Sequence, residues 1–144
     1  MKIGRLQVEY RVYLHKIHPC EPHEALYHPH PWPSAMIVCG GRYETGFGFG
    51  PPDGSPPPKI GPVYLNEWSA YQMLSPYEWH YVRPLKSPCL SLMVTGPPFD
   101  PDKKKQKLDL RTLTKQEATP IFDFFRNADT RSKILDVLDS MEIA

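Results

Sequence analysis

Between residues 6 and 14, Leu6, Val8, Tyr10, Val12 and Leu14 alternate with Gln7, Glu9, Arg11 and Tyr13. A period of two predicts a strand with one buried face. The unbroken apolar run 34–39 (SAMIVC) ends at Gly40-Gly41, and 42–49 resumes the alternation through Tyr43, Thr45 and Phe47. Further strands are predicted at 63–65, 68–74, 79–83 and 89–95, while the Gly/Pro-rich stretch 50–62 reads as a loop or long hairpin turn. About six to eight short, closely spaced strands predict a β-barrel or sandwich.

The period then changes. Thr119-Pro120 reads as an N-cap followed by Pro at the first helical position, with Ile121, Phe124, Phe125 and Ala128 on one helical face. Asp129 is the expected cap of a second helix, in which Ile134, Val137, Leu138 and Met141 recur at three- and four-residue intervals. Two such short helices cannot bury their apolar faces alone. They are expected to pack on the β part or on a second subunit.

The punctuation of the chain agrees with this division. Of 18 prolines in 144 residues, all but Pro120 lie at or before Pro101, as do all nine glycines. The expected organisation is a β-barrel over 1–100, a charged linker over 101–111 with the run DKKKQK, and a helical extension over 112–144. Charge adds little, since 17 Lys and Arg balance 16 Asp and Glu. Neither nucleic acid nor a membrane surface is an expected partner. The alternating N-terminus lacks the apolar stretch of a signal peptide, and Cys20, Cys39 and Cys89 show no C-x-x-C pair. Free buried thiols in a soluble, cytoplasmic protein are the expectation.

Candidate chemistry comes from the histidines. Five of six fall within residues 15–30. His28 and His30 are two apart, so an extended strand places both rings on one face, about 6–7 Å apart. Pro29, Pro31 and Pro33 occupy the alternate phase, which fits an edge strand or barrel rim because their missing N–H groups would all lie along one side. His80, the one histidine after residue 30, follows a turn signal at Ser75-Pro76 and enters an apolar stretch. A third imidazole from a neighbouring strand would complete a facial set with open positions for water or substrate.

At these residues the chain resembles the cupin superfamily, and within it the small bacterial and phage proteins with an H-x-H-P-W segment. His28-Pro29-His30, followed by an apolar strand ending at Gly41, is similar to the first cupin motif, and Ser75-Pro76-Tyr77-Glu78-Trp79-His80 to the second. The resemblance covers about residues 6–99. It implies a mainly β, double-stranded β-helix (jelly-roll) barrel with a C-terminal helical tail, and one divalent ion (Fe, Mn, Ni or Zn) on His28, His30 and His80. Many cupins place a glutamate four or five residues after the second histidine, where this chain has Ser34 and Ala35; the motif glycine of the second turn is replaced by Glu78 or Tyr77. A three-histidine shell is therefore implied, as in thiol dioxygenases, with Glu44, Glu67 and Glu78 as substitute carboxylates. Oxygenase, isomerase or lyase chemistry on a small molecule is the corresponding range of activity. The competing expectation is a non-enzymatic ligand- or protein-binding module with a tail-mediated homodimer.

The remaining signals point to structure. Gly46-Phe47-Gly48-Phe49-Gly50 has no strand-then-helix context for phosphate binding, and is expected as a flexible turn before the proline loop. Ser34 has no positioned acid for nucleophilic chemistry. Tyr27, Trp32, Tyr43, Tyr71 and Trp79 suit core and rim positions, or an aromatic cleft. Arg42 and Arg83 suit solvent, or an anionic substrate.

Overall fold

The run 34–39 is apolar without alternation because the strand it forms is buried on both faces. In the computed structural model, which describes residues 10–102 and 113–141, this strand is β3 (Ser34–Gly40). Met36 and Val38 face the interior, whereas Ile37 and Cys39 lie beneath the C-terminal helices. The other strands are β1 (Arg11–Ile17), β2 (His28–Pro29), β4 (Tyr43–Phe49), β5 (Ile60–Leu65), β6 (Ala70–Met73), β7 (Glu78–Pro84) and β8 (Cys89–Thr95), followed by α1 (Lys115–Arg126) and α2 (Ala128–Ser140).

The strands form two four-stranded sheets, ordered β1-β8-β3-β6 and β2-β7-β4-β5. Every pairing is antiparallel. The pairings β4·β5, β3·β6, β2·β7 and β1·β8 nest like one long hairpin whose successive rungs alternate between sheets. That is the jelly-roll, cupin-like double-stranded β-helix. The sheets close on each other through Val38 and Cys89 from one and Tyr43 from the other, with Tyr71, Leu65 and Val82 packed around them.

The helices cover the outside of the first sheet. Ile121, Phe125 and Ile134 join Ile37, Cys39 and Leu92 in one buried cluster, with Leu14, Leu90 and Val94 packed against it. The helix starts differ from the predicted ones. Thr114 caps α1, its hydroxyl accepting from the Glu117 N–H at 3.3 Å while the Glu117 carboxylate accepts from the Thr114 N–H at 2.9 Å. This capping box satisfies two free donors at the helix end, so the helix starts ahead of Thr119 and takes Pro120 inside it. Asn127, rather than Asp129, caps α2 by accepting from the N–H groups of Asp129 and Thr130, and Ala128 belongs to α2.

Three other expectations are corrected. Tyr10, just before β1, and Val12 within it are exposed, and Leu14 packs toward the helices. The interior phase is instead that of Tyr13, which packs on Met36, Met73 and Met93; Leu6 and Val8 lie outside the described residues. The glycine-rich stretch from Gly46 is strand rather than turn. A Cβ on Gly46 would lie 2.6 Å from the Tyr81 ring, and one on Gly48 would meet the Tyr27 hydroxyl, so these glycines let two tyrosines lie against β4. The loop after β4 ends at residue 59, because Ile60, Gly61 and Pro62 already belong to edge strand β5. Most of the expected charged linker, from residue 103 on, lies outside the described residues. Among the described residues no helix is long and apolar enough to cross a membrane.

Candidate metal centre

Strand β2 is the edge of the second sheet, the position its prolines predict. Its ladder is short: His28 pairs with His80 and Pro29 with Trp79 on β7. Directly opposed residues project from the same face, so this register brings the first and last of the three histidines together. The chain then bends away from β7 and crosses to the other sheet at Ser34, with His30 on the crossing segment.

The three imidazoles converge through their Nε2 atoms. His30 Nε2 lies 3.1 Å from His28 Nε2 and 3.0 Å from His80 Nε2. One ligand nitrogen from each ring lies within 4.8 Å of the others. Two nitrogens bound about 2.1 Å from one ion at right angles stand about 3.0 Å apart, so these separations suit adjacent ligands on one ion.

Each outward nitrogen is held. His28 Nδ1 lies 2.9 Å from the Leu26 carbonyl, His30 Nδ1 2.8 Å from Ser34 Oγ, and His80 Nδ1 2.7 Å from the Tyr71 hydroxyl. A carbonyl accepts only, so His28 carries its proton on Nδ1 and offers a bare lone pair at Nε2. His30 Nε2 lies between two other ring nitrogens, and one proton there could bridge to one of them, not both. The cluster lacks positive charge.

Protons do not supply that charge. Burial pushes all three imidazoles below their usual range, with mutual repulsion adding to it for His30 and His80; His30 falls to about 3. At neutral pH the set is therefore uncharged, which is the state a metal ligand requires. His30 and His80 are 7% and 2% exposed, whereas His28 is only half-buried, so the approach from solvent lies on the His28 side.

A scan against protein-family models finds no match, and neither does a search of curated proteins. Among solved structures, the chain is similar to hydroxypropylphosphonic acid epoxidase from S. wedmorenis (TM-score 0.47, 12% identity, 60% of this chain and 42% of that one). It is similar also to a Co(II) HppE complex with substrate (TM-score 0.46, 14% identity, 60% of this chain and 44% of that one). This chain thus spans less than half the length of those neighbours.

The three candidate carboxylates are engaged elsewhere. Glu44 accepts from Tyr81 Oη at 2.8 Å and from Arg83 at 3.0 Å. Burial raises its carboxyl, but the Arg83 and Tyr81 bonds together outweigh that and hold it below its usual range. Glu78 accepts from the N–H groups of Leu74 and Ser75 and so shapes the turn before β7. Glu67 accepts from the Gly41 N–H. Among the described residues, the three histidines are the one cluster of potential ligands gathered together.

Other predicted candidates also separate. Tyr43 and Tyr71 lie inside near His80, while Tyr27 packs on Trp79 at 5.3 Å between ring centres, on the face opposite His80. The five aromatics therefore form no single cleft. Trp32 stands beside His30, its indole N–H buried without a protein partner. Arg83 is paired with Glu44, and Arg42 lies over the Tyr64 ring. Cys20, Cys39 and Cys89 are free, and burial raises the thiols of Cys39 and Cys89 to about 11 and about 12. Sequence reasoning missed the roles of Ser34 and Tyr71, and missed His15, which lies against Ser91 and close enough to oppose charge on His30. Ser34, one of the two positions at which a glutamate was sought, reaches the Nδ1 side of His30.

Proposed function

We propose that this cupin-like protein holds one divalent transition-metal ion on the Nε2 atoms of His28, His30 and His80. The observation that carries the reading is the convergence of three uncharged imidazoles at 3.0–3.1 Å with every Nδ1 already engaged. Imidazole ligands suit Fe, Mn, Ni or Zn. Such an ion, when bound, activates water or dioxygen or polarises a bound oxygen, which is the chemistry of a small-molecule oxygenase, isomerase or lyase.

The protein's own contribution is orientation and exclusion of water. Leu26, Ser34 and Tyr71 fix the three ring planes, and partners of this kind determine ligand basicity as well as direction. Tyr43 and Phe47 pack around Tyr71 and close the inner side, so a ligand would approach beside half-buried His28. The test is elemental analysis of protein purified without added metal. Wild type should carry close to one equivalent, and the His28→Ala/His80→Ala double variant essentially none while retaining its β-sheet circular dichroism. Equal metal in both would reject the assignment.

A further inference from the structure

We infer that Tyr27 is a positioning residue for the metal centre, part of an aromatic clasp on the outer face of the second sheet that holds His28 opposite His80. The inference rests on the three-histidine reading above.

Hydrogen bonding alone holds β2 weakly. The strand is an edge of two paired residues, His28 and Pro29, and the proline has no N–H to give to a ladder. His28 is also the least buried of the three histidines. The Leu26 carbonyl that engages its ring belongs to the same segment and moves with it.

Tyr27 ties that segment to the sheet. Side chains alternate along an extended chain, so Tyr27 and Pro29 project from the face opposite His28. There the Tyr27 ring lies against β7, its centre 5.3 Å from that of Trp79 and 6.5 Å from that of Tyr81. Its hydroxyl reaches β4, where a Cβ on Gly48 would meet it. Lys59, just before β5, completes the clasp. Its Nζ lies 5.0 Å from the Tyr27 ring centre and 5.2 Å from that of Tyr81, within the range of a cation–π contact. The ring rather than the hydroxyl makes these contacts, since Oη is buried without a protein partner. Trp79 and His80 are neighbours on β7, so the strand that presents one imidazole inward presents the clasp outward. Aromatic packing on one face thereby sets the separation of two imidazoles on the other, whose ring centres lie 4.9 Å apart.

Cobalt(II) titration of the full chain, followed by its ligand-field bands, tests the clasp. Tyr27→Ala should weaken binding about tenfold, whereas Tyr27→Phe, which keeps the ring, should match wild type. Lys59→Met removes an exposed cation and should weaken binding by about two- to fivefold. In cobalt-loaded protein each bound imidazole gives a paramagnetically shifted ring N–H resonance. Tyr27→Ala should lose or broaden one of the three, while a purely structural role would lower thermal stability and leave all three. Wild-type affinity with three shifted resonances in Tyr27→Ala overturns the inference, as does equal weakening in Tyr27→Ala and Tyr27→Phe. Should Tyr27→Ala fail to fold, Lys59→Met decides, and wild-type affinity there overturns it. If wild type binds no cobalt, the metal reading falls and metal-free protein decides. Ring-to-ring NOEs between His28 and His80 should then appear in wild type and Tyr27→Phe and vanish in Tyr27→Ala; their retention overturns the clasp.

Discussion

In the sheet β1-β8-β3-β6 both faces are covered, with Met36, Val38 and Met93 inward and Ile37, Cys39 and Leu92 beneath the helices. The sheet β2-β7-β4-β5 has one such face. Its other face carries Tyr27, Trp79, Tyr81, Glu44 and Arg83, joined by ring contacts and a 3.0 Å ion pair. The first sheet supplies a packed wall. The second supplies His28 from its edge strand and His80 from the strand beside it, and the wall holds His80 through Tyr71 and His30 through Ser34. The candidate centre thus takes two of its three histidines from the sheet with the open edge, and two of the three contacts that orient the rings from the doubly covered one.

If the doubly covered sheet is scaffold, damage beneath its helices should affect stability rather than the centre. Phe125→Ala is expected to destabilise the fold by about 3–5 kcal/mol, measured by urea unfolding, with the metal content of the folded protein unchanged. Loss of metal from folded protein would erase the distinction between the sheets.

Acid should act through the other sheet. In metal-free protein the folded imidazoles titrate below the unfolded value of 6.5, His30 at about 3. Below about 6.5 the unfolded chain therefore binds protons that the folded one refuses, so stability falls as the pH drops toward 3. The unfolding midpoint of the His28→Ala/His80→Ala variant should depend less on pH over this window than that of metal-free wild type. Equal slopes would show that the histidines are not the buried neutral groups described.

The smallest expected effect lies farthest from the centre. Thr114→Ala removes the α1 cap and should cost about 1 kcal/mol, with no change in cobalt affinity. An effect on affinity would mean that the helices tune the site as well as cover the wall.

The two sheets were also unequally legible. Runs of alternating or continuous apolar residues located the core of every strand but β2, and the proline phase placed His28 on an edge. Strand order was hidden, because it depends on which runs pair across the fold. The starts of the helices were misread: Thr119-Pro120 satisfied one local rule, while Thr114-x-x-Glu117 satisfied the capping box that forms. The H-P-H spacing and late His80 named the imidazoles, but nothing in the spacing could show that Ser34 and Tyr71 stand behind them, since those contacts arise where the chain crosses between sheets and where one sheet faces the other.

X-ray absorption at the zinc edge, on wild-type protein loaded with one equivalent of zinc, reads the coordination shell itself. The expected shell has three imidazole nitrogens at about 2.0–2.1 Å and no sulfur, although the chain contains three free cysteines. A shell containing sulfur, or fewer than three imidazoles, would contradict a centre built on His28, His30 and His80.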